Sequence, residues 1–488
     1  MSNGVRNLLL VVVDALRADR VGVCTGSTDD SLTPNIDELA REGAVFSRAS
    51  TASNATDASV TSIHTGHYPR TSVYHHANLV TNTEKSRAEQ LPTVPGQLRA
   101  AGWRTVAVAP GIGRWHKNGF DVLRSENSPE GTRLQTMYDA IESISPSGVS
   151  FGPRIHGLLP WSGAPDYGEE FTAPYTDQLL DEIGADPFYG FFRILDPHIP
   201  YTPSEDLVDE LHAEREYPDQ DLESVLAGAP DGGFLDTSIR PWLTPRDFEG
   251  GLSRLCARYD AGVVQADRKI GYLWDRLQER GRWEETALVV CSDHGESLYE
   301  HDIFADHHGL YDETMHVPLI VTTPETCGTR HDELVQLPDI APTITDILGV
   351  DSSLGAFGRS LLPLLEEGRW DEREAVYAEE AYTQRRTAVR TDDWKYIRHV
   401  PDEALPTNGM ECRYCETVHG PPPELYDLEQ DPDEQRNVVE AHPAVVERLR
   451  DSYENLLETL PVLDDEGRAV EYDDEEDVLD QLERLGYR

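Results

Sequence analysis

The chain has 488 residues, enough for two to four domains at roughly 100–200 residues each. It carries 42 Lys and Arg against 90 Asp and Glu, a formal charge of −48, and only four of the basic residues are lysines (Lys85, Lys117, Lys269, Lys395). A field of that sign repels nucleic acid and anionic membranes, so neither is expected as a partner. Apolar periodic segments run nearly end to end, which sets disorder aside and points to a folded protein kept soluble at high salt, a halophile-type composition. Six cysteines are too few for a disulfide framework. The apolar run Leu8–Val13 ends at Asp14 and is too short for a signal peptide, and no stretch reaches the roughly 18 apolar residues of a membrane span. The reading is a cytoplasmic protein.

In chain order, Leu8–Val13 has no polar alternation, as a strand buried on both faces requires. Thr33-Pro34 opens a helix that Gly43 closes. Val94–Ala101 reads as another helix, and Thr105–Ala109 and Phe188–Leu195 as strands. Leu255, Tyr259, Val263, Ala266, Ile270, Leu273 and Leu277 recur at steps of three and four, marking a long amphipathic helix. Strands Ala287–Cys291 and Val317–Val321 and a helix Ile340–Leu348 follow. The order is that of a doubly wound α/β sheet with helices on both faces, over residues 1–355. The stretches 125–176 and 204–245, richer in Gly, Pro and charge, read as insertions on the catalytic face. Residues 356–488 read as a smaller C-terminal α+β subdomain, with short strands at Thr387–Val389 and Trp394–Ile397, a helix Val445–Leu460, and an acidic helical tail.

Ligands of open α/β sheets bind outside the carboxyl ends of the strands, so the residues after each strand carry the chemistry. They are Asp14; Ser292-Asp293-His294-Gly295; and Asp196-Pro197-His198. An aspartate at a strand end often only caps the next helix, but three together, two with imidazoles, suit a metal.

The segments Val12-Val-Asp-Ala-Leu-Arg-Ala-Asp-Arg20, Leu195-Asp-Pro-His-Ile-Pro-Tyr201, Ser292-Asp-His-Gly-Glu296 with His301, Leu310-Tyr-Asp-Glu313 and Val317-Pro-Leu-Ile-Val321 occur in this order. Asp339-Ile-Ala-Pro-Thr343, Trp394-Lys-Tyr-Ile397 and Glu424-Leu-Tyr-Asp-Leu428, with Asp431-Pro432, Glu434 and Asn437, follow. The ordered set resembles the sulfatase family of the alkaline phosphatase superfamily over nearly the whole chain. That resemblance implies an alkaline-phosphatase-like fold, a divalent metal and a small anionic ester as substrate.

The departures matter. Sulfatases carry Cys or Ser in C/S-x-P-S-R, nine residues before a Thr-Gly pair, and oxidise it to formylglycine. Here the pair is Thr65-Gly66 and Thr56 stands nine residues earlier, with Ala58 for the proline and Val60 for the arginine. Threonine bears a methyl on its β-carbon, so oxidation would stop at a ketone and no formylglycine forms. A phosphothreonine can be hydrolysed in-line by activated water, whereas a sulfothreonine lacks the hemiacetal exit. Thr56 is therefore expected as nucleophile on a phosphate mono- or diester, with a sulfate ester, or a binding protein without turnover, as alternatives. Thr56 also reads as the N-cap of the following helix.

By position, the resemblance implies metal ligation by Asp14, Thr56, Asp293 and His294. Ala15 replaces a family carboxylate, which moves preference from Ca²⁺ toward Mn²⁺ or Zn²⁺, with Mg²⁺ or Ca²⁺ still open. His198 corresponds to the histidine facing the leaving group, and His307 to a lysine that touches the substrate oxyanion. Arg114, in Gly113-Arg-Trp-His116, corresponds to a substrate lysine. His301 and His308 read equally as packed polar residues. Cys412-Arg-Tyr-Cys415 with His419 offers three ligands where a structural zinc needs four, so a pair of reduced thiols is the plainer reading. Oligomeric state is not legible.

Overall fold

A computed structural model describes residues 4–75, 81–109, 118–124, 169–228, 240–352, 354, 357–380, 383–401, 409–412, 418–420 and 422–460. The strands are β1 (Asn7–Val13), β2 (Ala44–Phe46), β3 (Ala49–Ser50), β4 (Arg104–Val108), β5 (Val122–Arg124), β6 (Phe188–Ile194) and β7 (Thr286–Ser292). They continue as β8 (Leu319–Thr322), β9 (Thr329–His331), β10 (Val335–Gln336), β11 (Val376–Glu380), β12 (Arg386–Arg390), β13 (Trp394–His399) and β14 (Glu424–Asp427). The main sheet has eight strands in the order β5-β4-β6-β1-β7-β8-β2-β9. The five from β5 to β7 are parallel, as alternation of strand and helix requires; β8 runs antiparallel to both β7 and β2. This β8 reversal is not legible as periodicity, because only the 3-10 turn Glu300–Asp302, the four-residue helix Asp312–Met315 and loops separate β7 from β8.

Every residue of β1 is buried, and the pleat divides them. Leu9, Val11 and Val13 join Leu255, Tyr259, Val263, Ile270 and Leu273 of the helix Pro245–Glu279 in one core. Leu8, Leu10 and Val12 face Val60, Ile63, Leu98 and Ile344 in the other. Each such Leu or Val side chain contributes about 1.5–3 kcal/mol of burial, which is why Leu8–Val13 is apolar throughout and the one polar residue of the strand, Asn7, stands at its start. The long helix starts where Thr244 Oγ1 accepts from the Asp247 amide and the Asp247 carboxylate accepts from the Thr244 amide; it is interrupted at Gly251.

The stretch 204–245 departs from its expected role as a catalytic-face insertion. Its helices Glu205–Glu214 and Leu222–Gly228 place Leu207, Val208, Leu211, Leu222 and Leu226 in the core with the long helix. High charge on the outer faces of these short helices masks their apolar side in a composition reading.

The C-terminal sheet β11-β12-β13-β14 is antiparallel. Val389, Tyr396 and Leu425 pack on Leu449 and Tyr453 of the helix Pro443–Thr459. Ala388, Ile397 and Tyr426 on the opposite face pack on Ile303, Leu310, Tyr311 and Met315, so this sheet braces the segment between β7 and β8. Lys395 reinforces the brace, its Nζ 2.5 Å from Asp312 and 2.9 Å from Glu434.

Candidate active site

The register of three adjacent strands builds the site. Val13 pairs with Ile194 on one side and Ser292 on the other, so Asp14, the Leu195–His198 turn and Asp293 emerge side by side at the carboxyl edge. Ser292 ties the turn, its Oγ donating to a backbone carbonyl and accepting from the Leu16 amide at 2.9 Å. Gly295 is required here, since a Cβ would stand 1.9 Å from the Glu313 carbonyl oxygen. Tyr201 joins the two motifs directly, its hydroxyl donating to Glu296 Oε1 at 2.6 Å. Ala15 is held at φ 60°, a left-handed conformation costing a non-glycine residue about 1 kcal/mol, and its amide faces Asp293 Oδ1 at 3.4 Å.

Asp14, Asp293 and His294 present ligand atoms within 4.8 Å of one another, all buried. One oxygen of each carboxylate is anchored: Asp14 Oδ2 by Arg193, and Asp293 Oδ1 by the His294 amide at 3.0 Å. The other oxygens, Asp14 Oδ1 and Asp293 Oδ2, have no hydrogen-bond partner although buried. They lie 3.5 and 3.8 Å from His294 Nε2. His294 donates its Nδ1–H to the Gly295 carbonyl at 2.8 Å, which leaves the Nε2 lone pair facing the same space. Two orphaned carboxylate oxygens and one imidazole lone pair are a donor set that fits a divalent cation.

The electrostatics agree. Burial works to raise Asp14, but Arg193 and the imidazoles of His198, His294 and His307 outweigh it and hold the carboxyl well below the usual range. Asp293 is pushed up, by burial first and then by the Asp14 charge. A cation between them removes that penalty.

Thr56 opens the helix Thr56–Thr65, whose residues are all buried. It is the first helical residue; Ala55 is the N-cap, and no side chain caps the end. The N-cap reading of Thr56 is thereby corrected. Its Oγ1 instead lies 3.2 Å from His294 Nε2, where the helix N-terminus favours an anion.

His307 is held from the nucleophile side, its Nδ1–H donating to the Asn54 carbonyl at 2.5 Å while Asn54 Nδ2 donates to His307 O at 2.8 Å. Its ring stacks on His294 at 4.3 Å. The half-buried His198 ring stands 6.0 Å from His307 and 6.3 Å from His294. Asp196 turns away from the cluster to Lys269, at 2.7 and 2.9 Å. Arg114 and Cys415 lie outside the described residues. His301 and His308 are packed polar residues, facing Glu313 at 3.2 Å and Asp306 at 3.0 Å. Sequence reasoning missed Arg193 and Asn54. Arg193 left a trace, as the one charge in the apolar strand Phe188–Ile194; Asn54 left none.

The fold and the site define an ester hydrolase of the α/β class with a buried carboxylate–imidazole cluster at the strand ends. The sulfatase family model matches residues 6–350, and the C-terminal model of N-sulphoglucosamine sulphohydrolase matches residues 299–406. The chain belongs to the sulfatase family, in the alkaline phosphatase superfamily. It is 25% identical to the multifunctional alkaline phosphatase superfamily protein PehA of Trinickia caryophylli, over 93% of this chain and 94% of that one. It is also 25% identical to the choline-sulfatase of Rhizobium meliloti (strain 1021), over 90% and 83%. In fold it is similar to the crystal structure of the phosphonate monoester hydrolase of Agrobacterium radiobacter, with TM-score 0.66, 21% identity, and coverage of 93% and 95%. No helix among the described residues is long and apolar enough to cross a membrane.

Proposed function

We propose that the protein is a metal-dependent hydrolase of phosphate or phosphonate esters that uses Thr56 as nucleophile, without formylglycine. The observation that carries this reading is Thr56 Oγ1 beside His294 Nε2 and a donor set of Asp14, Asp293 and His294, in a position where sulfatases need an oxidisable Cys or Ser. Two carboxylates, an imidazole and a hydroxyl favour Mn²⁺ or Zn²⁺ over Ca²⁺. When bound, the ion supplies the charge that makes the Thr56 alkoxide accessible near neutral pH and polarises the ester.

The chain's own residues do the rest. The Thr56 alkoxide, its hydroxyl proton released to solvent beforehand, forms a bond from Oγ to phosphorus as the bond to the leaving oxygen breaks, and His198 gives that oxygen its proton. Water then attacks the phosphothreonine, His198 takes the water's proton, and Thr56 is regenerated as phosphate or phosphonate departs. His307, fixed by Asn54 and stacked on His294, donates from Nε2–H to a non-bridging oxygen when its ring carries a proton on both nitrogens.

A panel of p-nitrophenyl phosphate, bis-phosphodiester, phenylphosphonate and sulfate, run at high salt with Mn²⁺, Zn²⁺, Mg²⁺ and Ca²⁺, tests the reading. Turnover is expected on phosphorus esters, with an unmodified Thr56 in the peptide mass map. Preferential turnover of the sulfate would establish a sulfuric ester hydrolase instead, and no turnover on any ester would leave a binding protein.

A further inference from the structure

Arg193 is the one charged residue of β6, a strand buried at every position. It pairs with Val12 of β1, one step before Ile194, whose carbonyl accepts from the Asp14 amide at 2.8 Å. Tyr189 and Phe191, four and two residues earlier on the same face, pack with Val60 and Ile63 of the helix that Thr56 opens. An arginine placed there, 5% exposed, loses nearly all of its hydration, and such a charge persists only when paired. Its Nη2 donates to Oδ2 of Asp14, which is fully buried.

The pair divides the Asp14 carboxylate. Oδ2 is taken by the guanidinium, and Oδ1 is left 3.5 Å from His294 Nε2 without a hydrogen-bond partner. The Arg193 charge reaches Asp293 as well, where it opposes the burial and the Asp14 charge that push that carboxyl up. With both carboxylates ionised as ligands, the guanidinium cancels one of their two charges before an ion binds. Once a divalent ion is in place, it leaves one positive charge in excess. Two effects on the ion then compete. Losing a partner that orients a ligand costs about 10–100-fold in metal affinity. A unit charge about 6 Å from a divalent ion, at an effective dielectric constant of about 20, opposes binding by on the order of 10³–10⁴-fold. Repulsion is the larger effect.

We infer that Arg193 is a positioning residue that acts as the fixed counter-charge of the metal site, weakening its hold on the divalent ion and strengthening that of the loaded site on an anionic ester. The inference rests on the metal reading of Asp14, Asp293 and His294 and is independent of which residue is the nucleophile.

Calorimetric titration of the chelator-treated full-length protein with Mn²⁺ at high KCl, and then of the loaded protein with inorganic phosphate, tests it. Arg193→Met removes the charge and keeps a side chain of similar length. It is expected to bind Mn²⁺ at least about tenfold more tightly than the wild type, at the site lost in Asp293→Asn, and phosphate at least about tenfold more weakly. Arg193→Lys, which keeps the charge but not the fork, should stay within about threefold of the wild type for both. A purely structural role would weaken both ligands together. Should Arg193→Met fail to fold, Arg193→Gln, whose amide can still donate to Asp14, carries the comparison. Mn²⁺ bound no more tightly by the uncharged variant would overturn the counter-charge. Phosphate bound equally by wild type and variant, or by neither, would overturn its role toward the anion. A wild type that takes up no Mn²⁺ at all would fail the metal reading itself, and the inference with it.

Discussion

Thr56 Oγ1 stands 3.2 Å from His294 Nε2, and the hydroxyl makes no hydrogen bond to cap its own helix. A buried threonine at the start of a helix ordinarily turns its hydroxyl to the orphan amides. Here it points across to the cluster of Asp14, Asp293 and His294, which is where a nucleophile that is also a metal ligand would sit.

A serine keeps that hydroxyl and loses only the methyl. Thr56→Ser is expected to retain kcat within about tenfold on the best phosphorus ester, whereas Thr56→Cys, without a maturation enzyme, falls by more than about 10². Steady-state kinetics on both variants checks the pair.

Metal affinity should separate the two strand-end aspartates. Asp293 Oδ2 is an orphaned oxygen of the cluster, and Asp196 is satisfied by Lys269. Calorimetric titration of chelator-treated protein with Mn²⁺ or Zn²⁺ should show Asp293→Asn weakened about 10–100-fold at the high-affinity site and Asp196→Asn close to wild type. Equal losses would require Asp196 and His198 to hold metal as well.

The Glu313–His301 contact gives a pH dependence. Burial, then the nearby Glu434 and Glu300 charges, push Glu313 from 4.5 up to about 8, and burial lowers His301 from 6.5 to about 4. The folded state therefore holds a protonated carboxyl 3.2 Å from a neutral imidazole. Because the folded value of Glu313 lies above its unfolded one, the contribution of Glu313 is complete below pH 4.5 and is lost as pH rises through about 8, whereas the lowered His301 acts in the opposite sense and loses stability as pH falls from 6.5 through about 4. The slope within that window is up to about 1.4 kcal/mol per pH unit. Glu313→Gln should flatten the change in thermal midpoint between pH 5.5 and 8.5 relative to the wild type.

The parallel half of the sheet is legible in sequence because β1, β6 and β7 are predominantly apolar runs, broken only by Asn7, Arg193 and the terminal Thr286 and Ser292, and both cores demand that. The strand-end rule then exposes Asp14, Asp293 and His294 without any coordinates. Cross-chain partners are not legible. Arg193 reaches Asp14 only through the β1–β6 register, and Asn54 reaches His307 across 253 positions. The direction of β8 depends on the short connection through Asp312–Met315, and the Cys412–His308 contact on two loops 104 residues apart. Periodicity reports which side of an element is buried, and says nothing about which distant residue covers it.

Salt should stabilise this chain far more than a neutral one of the same fold. With a charge of −48, self-repulsion is longest-ranged at low ionic strength, where the Debye length is ~30 Å at 0.01 M against ~3 Å at 1 M. The thermal midpoint in metal-saturated buffer is expected to rise steeply between about 0.1 M and 2 M KCl. A flat curve would mean that local pairs, such as Arg254 with Asp209 and Glu205, already neutralise the acidic surface.

The central claim is that Thr56 is the nucleophile. Its most direct test is kcat/KM of Thr56→Ala on the best phosphorus ester, with thermal midpoint and metal content measured on the same samples. The account predicts a folded protein that binds metal and has lost more than about 10² in kcat/KM, since removal of an essential nucleophile or base costs at least that much. A folded, metal-loaded Thr56→Ala protein that keeps more than about a hundredth of wild-type kcat/KM would contradict it and place the nucleophile elsewhere.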